Sequence, residues 1–163
     1  PPAVQPVFAS SLVLGTVTAL VLNLLARIGV RRTRRLIVDP GAFKPAEIEA
    51  FMETQGAAWG ARRDVVDRAS FSLTQSIETI VDACSPAGPL EVEATFDEFN
   101  LDLRVSYDGP PLELPESRPT NEEILSSEAG ERRLAGFMLR RHADRVAATC
   151  KGGRTTVLFH FDH

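Results

Sequence analysis

The sequence predicts an α+β fold: a two-layer α/β sandwich, with an antiparallel sheet covered by helices on one face, preceded by one transmembrane helix. Three observations carry that expectation. An uncharged apolar run near the start ends in a cluster of arginines. Two segments with helical spacing follow it. Two pairs of alternating apolar segments, each pair joined by a short turn, then flank a further helical segment.

The apolar run, Val7 to Leu25, has only Ser10, Ser11, Thr16, Thr18 and Asn23 as polar residues. As a helix it is roughly 28 Å long, close to the hydrocarbon thickness of a bilayer. Arg27 stands where its stem can reach the headgroups, and "RRTRR" (31–35) marks the cytoplasmic side, so the helix runs outside to inside. A buried core helix is the alternative. A signal peptide is not, because no basic region precedes the run and no small-residue cleavage pattern follows it. The opening "PPAVQP" lacks an initiator methionine, and the chain reads as a piece of something longer. Gly15 and Asn23 mark a face for packing on other helices.

Residues 1–35 are thus a spanning helix with its basic flank, 36–44 a linker with the turn residues of "VDPGAFKP", and 45–163 the folded body. Pro45 suits a first helical position, and Ile48, Phe51, Met52 and Trp59 fall near one face of the helix it opens. Asp64 is placed to cap the next helix, where Val65, Val66, Ala69, Leu73, Ile77, Ile80 and Val81 recur at three- and four-residue steps. "LEVEATF" (90–96) and "LDLRVSY" (101–107), joined by "DEFN", make a hairpin with one buried face. Asp108 to Gly130, with its prolines and small polar residues, reads as a long mobile loop holding at most a short helix at "NEEIL". Leu134, Phe137, Met138 and Ala143 restore helical spacing, and "VAATC", a "KGGR" turn and "TTVLFHF" close with a second hairpin.

The net charge of −4 is unevenly spread. Five arginines face Asp39 alone in the first forty residues, which leaves the body acidic and argues against nucleic acid as its partner. Cys84 and Cys150 have neither disulfide-framework nor zinc spacing. In "HFDH", a strand places His160 and Asp162 on one face and His163 on the other, so no metal site is expected.

The element order of residues 45–163 resembles the ATP-binding domain shared by histidine kinases, gyrase-type ATPases and anti-sigma serine kinases, and in its compactness the anti-sigma branch most. The resemblance implies a nucleotide pocket with motifs in four places. Gln75 and Thr79 stand where the family has a water-orienting glutamate and a Mg²⁺-holding asparagine one turn apart. Glutamine can hydrogen-bond a water without taking its proton, and threonine is a shorter metal ligand. Both also read as ordinary solvated helix positions. In "YDGPP", Tyr107 stands at the adenine-reading aspartate and Gly109 at the first glycine, with Pro111 for the second; Asp108 can serve only if the register slips by one. A plain Asp-Gly turn is the other reading. Gly130 and Gly136 stand in the phosphate-cradling run, with Arg132 and Arg133 between them, and Thr155 follows "GG" where the family has a threonine beside adenine.

"LVLGTVTALVLNLLARIGVRR" resembles the last transmembrane helix of xanthine/uracil permeases, the nucleobase–cation symporter family, some of which carry a cytoplasmic ATPase-like domain after it. Together the two resemblances imply a regulatory domain at the C-terminus of a nucleobase transporter in the inner (cell) membrane, with degenerate catalytic residues. ATP or ADP with Mg²⁺ is the implied cofactor, bound by Gln75, Thr79, Tyr107, Asp108, Gly109, Gly136 and Thr155 under a 108–130 lid. An active anti-sigma-type serine kinase and a protein-interaction module that binds no nucleotide are the alternatives. The transporter, a protein partner and a second copy of the chain are the partners these readings allow.

Overall fold

The computed structural model describes residues 11–27 and 31–163, which divide into two compact units between Arg31 and Arg32. In the first unit, helix α1 spans Ser11–Arg27, 17 residues, and exposes Leu14, Leu20, Leu22 and Leu24. Among the described residues no helix is long and apolar enough to cross a membrane. Residues 7–10 of the expected span lie outside the described residues.

The second unit is α+β. Its elements run β1 (Arg32–Val38), α2 (Pro45–Trp59), α3 (Arg63–Cys84), β2 (Leu90–Phe96), β3 (Asn100–Asp108), α4 (Asn121–Ser126), α5 (Glu128–His142), β4 (Arg145–Lys151) and β5 (Arg154–Asp162). The five strands form one sheet, ordered β1-β2-β3-β5-β4, with every neighbouring pair antiparallel. This is the two-layer arrangement of helices on a sheet that the alternation of apolar residues predicts.

One strand was hidden in the sequence. The basic flank and linker expected over 31–44 contain β1, whose Thr33, Arg35 and Ile37 pair with Thr95, Glu93 and Glu91. An edge strand facing water needs no apolar alternation. Cross-strand partners hold it instead: Arg35 Nε donates to Glu93 at 2.8 Å, and the Thr33 and Thr95 hydroxyls lie 3.1 Å apart.

The core lies between the sheet and α2, α3 and α5. Leu90, Val92, Ala94 and Phe96, then Leu101, Leu103, Val105 and Tyr107, then Val157, Phe159 and Phe161 line the inner face. Against them α3 presents Val65, Ala69, Leu73, Ile77 and Ile80, the spacing of a helix with one apolar stripe. The outer face carries ion pairs, with Glu93 between Arg35 and Arg104, and Arg154 between Glu91 and Asp108.

Helix boundaries follow local chemistry. Pro45 opens α2, and Gly60, at φ 71°, closes it in the left-handed conformation. The N-cap of α3 is Arg62, without a side-chain cap bond, and Asp64 falls in the first turn. The helix starts earlier than expected, so Asp64 lies inside its first turn instead of capping it, and its carboxylate pairs with the Arg62 guanidinium at 2.6 Å. Gly152 and Gly153, at φ 59° and 84°, supply the two positive dihedrals of the tight turn between β4 and β5.

Candidate functional site

Gln75 and Thr79 lie one turn apart on α3, and both line a cleft of about 460 Å³ between α3 and α5. Both side chains donate within their own helix. Gln75 Nε2 donates to Glu78 at 2.7 Å, and Thr79 Oγ1 donates to the Gln75 carbonyl at 2.7 Å, the back-bond a helical threonine makes to the preceding turn. The other polar groups of the cleft are Glu78, Asp82, Glu128, Glu131 and Arg132. Four carboxylates against one guanidinium give this cleft the charge of the ligand it was expected to take.

The start of α5 is also poorly suited to phosphate. A helix N-terminus binds anions through unsatisfied N–H groups. Here the Ser127 hydroxyl caps the Gly130 N–H at 3.1 Å, and Glu128 and Glu131 occupy the first turn. The two glycines serve packing. A Cβ on Gly130 would collide with the Glu123 carbonyl, and one on Gly136 with the Glu113 carbonyl. Each glycine is therefore a place where the 108–130 segment crosses α5 at backbone distance.

That segment is not a bare loop. It holds α4, closed by a reciprocal capping box between Thr120 and Glu123, and the first residues of α5. The Glu123 carboxylate accepts from Thr120 and lies beside Arg133, which holds it below the usual glutamate range. Arg140 donates to the Leu114 carbonyl at 3.3 Å and pairs with Glu116 at 3.1 Å, and Leu112 is buried. The segment is laid down on α5.

Beneath it, Tyr107 and Thr155 are directly paired across β3 and β5 and have no exposed surface. The Tyr107 hydroxyl donates to the Pro110 carbonyl at 2.8 Å, and Cys84 Sγ lies 3.6 Å from the phenol oxygen. Thr155 Oγ1 donates to the Gly109 carbonyl at 2.8 Å, and the Gly109 N–H bonds the Gly153 carbonyl at 3.0 Å. Burial, reinforced by Cys84, pushes the phenol well above its ordinary range, so Tyr107 is a neutral donor at all physiological pH. Asp108, the alternative adenine reader, points to the surface and pairs with Arg154 at 3.3 Å.

The seven expected site residues thus fall in four places. Gln75 and Thr79 line the α3–α5 cleft. Buried Tyr107 and Thr155 are tied by hydrogen bonds to the Gly109–Pro110 backbone, and Gly136 lies under the chain. Asp108 faces outward. Elsewhere, His160 and Asp162 share a face, with His160 Nδ1 2.6 Å from Asp102 and Nε2 3.1 Å from Asp162. His163 takes the other side, edge-on to Phe96, where Nε2 accepts the Arg62 N–H at 2.7 Å and Nδ1 donates to the Glu98 carbonyl at 2.7 Å. Among the described residues no three His, Cys, Asp or Glu side chains gather to hold a metal.

A groove the sequence reading missed lies between α2 and α3. It has a volume of about 530 Å³ and includes Gly56, Ala57, Val66 and Phe71. No motif announces it, because its floor is made of small residues spread over two helices. The one legible sign was Phe71, an aromatic residue off the apolar stripe of α3.

The chain matches no known protein-family model and no curated protein.

Proposed function

We propose that the unit formed by residues 32–163 is a protein-interaction module built on an ATPase-like scaffold whose nucleotide pocket has been filled from within. The observation that carries this reading is the Tyr107 knot. A phenol ring with no exposed surface occupies the position where the resemblance puts an adenine-reading carboxylate, and its hydroxyl is spent on the chain's own Pro110 carbonyl. Admitting a base there requires breaking that bond, the Thr155–Gly109 bond and the packing of Leu112 together. The acidic cleft beside Gln75 and Thr79 adds repulsion to any phosphate chain.

In this reading the module is regulatory and works next to a membrane, joined to the last helix of a nucleobase transporter. What supports the membrane part is the uncharged sequence of α1 up to Arg27, with its exposed leucines, and the arginines that follow. The transporter part rests on the sequence resemblance of that helix. A nucleotide sensor is the second reading, favoured by one observation: Gln75 and Thr79 still share an open cleft.

Calorimetric titration of the whole chain in lipid nanodiscs with ATP and ADP, with and without Mg²⁺, separates the two. The interaction module gives no heat of binding at millimolar nucleotide. Saturable binding in the micromolar range replaces it with the sensor, and Mg²⁺-dependent turnover lost in Gln75→Ala would establish an enzyme.

A further inference from the structure

The α2–α3 groove has the makings of a docking site. Its floor includes a close contact between the two helices: a Cβ on Gly56 would lie 2.6 Å from Val66 Cγ2, so only glycine fits there without a shift of Val66. Exposed Ala57 beside it leaves the groove unfilled. At one side Phe71 is 48% exposed, its ring 4.6 Å from that of His142 on α5. An aromatic ring left half in water next to a groove is a ready anchor for a partner's side chains.

The rim sets the sign of the partner. Glu49 and Glu53 stand one turn apart on α2, and Asp67 faces the groove from α3. None of the three has an ion-pair partner among the described residues. Arg63 is the single base in the lining. The walls are two helices whose backbone groups are already bonded, so an extended peptide finds no ladder to join. A helix, which satisfies its own backbone, fits such a groove through side chains alone.

We infer that this groove docks an amphipathic helix of a partner protein, its apolar stripe seated over Gly56, Ala57 and Phe71 and its lysines or arginines facing Glu49, Glu53 and Asp67. The inference rests on the interaction-module reading and names the partner's chemistry. A second copy of the acidic body is a poor occupant, because it brings more carboxylates to the rim.

The test uses the whole chain in zwitterionic nanodiscs, with empty nanodiscs measured alongside. Two fluorescent helical peptides of about 16 residues share one leucine stripe and differ only in flanking lysine or glutamate. The lysine peptide should bind, and the Glu49→Lys/Glu53→Lys double variant should weaken it roughly tenfold or more while gaining affinity for the glutamate peptide. Ala57→Trp, at an exposed position, should fill the groove and block binding with the fold intact by circular dichroism. Equal binding of both peptides, indifference to Ala57→Trp, or self-association that the double variant abolishes would each overturn the assignment. Such a failure without nucleotide binding leaves the interaction reading in place; nucleotide binding removes that reading by itself.

Discussion

Tyr107 shows how much one residue can decide. A phenol at the end of β3 reaches its own chain, and in the reading proposed above it closes the pocket. Replacing it with phenylalanine keeps the ring and strands the Pro110 carbonyl, which should lower stability by about 1 kcal/mol in denaturant titrations. Because the folded-state phenol titrates above its unfolded value near 10, its contribution is complete below that pH and is lost as pH rises beyond it. Alkaline unfolding should therefore start above roughly pH 10 and be blunted in Tyr107→Phe. Glu98 is a second decisive residue of the opposite kind. It holds φ 72° in the β2–β3 turn, a conformation that L side chains other than asparagine rarely adopt. Glu98→Asn should raise the unfolding midpoint, with a gain of about 0.5 kcal/mol.

Among the elements, what was legible in the sequence is what periodicity can encode. The Leu90–Phe96 and Asn100–Asp108 strands alternate because one face is buried, and α3 carries a three-four repeat because one stripe is. Strand β1 was invisible for the matching reason: at an exposed edge its arginines pair with carboxylates and no apolar rhythm is required. The motif positions were legible as positions, but not as a site. Gly136 is present where a phosphate-cradling glycine was expected, yet its cause is the Glu113 backbone that passes over it. Gly136→Ala should thus cost about 2 kcal/mol or more, and increase protease cleavage between Leu112 and Pro115, where the segment is forced off α5. A further contact joins three elements at one carboxylate. Asp144, after α5, accepts from Arg68 of α3 at 3.1 Å and from the Asp162 N–H of β5 at 2.9 Å, which hold its carboxyl below the usual range. Its contribution is present above the unfolded value near 3.9 and is lost as pH falls below it. Asp144→Asn should lower the midpoint at pH 7 and leave it nearly unchanged at about pH 2.

For the molecule as a whole, the fold class followed from the order of elements, while the state of the pocket did not. Whether the 108–130 segment is an open lid or a packed layer depends on contacts between residues far apart in sequence, such as Arg140 with Glu116 and Thr155 with Gly109. No local pattern records them. In the function proposed above, this layer closes the pocket for good. Thermal unfolding of the whole chain with and without millimolar MgATP tests it most directly, because a ligand bound to the folded state alone must raise the midpoint. Micromolar affinity at a thousandfold excess is worth about 4 kcal/mol, and so roughly 10 °C or more for a domain of this size. The filled pocket predicts no shift beyond that produced by Mg²⁺ and an equal concentration of inorganic triphosphate. A nucleotide-specific rise of several degrees would contradict it.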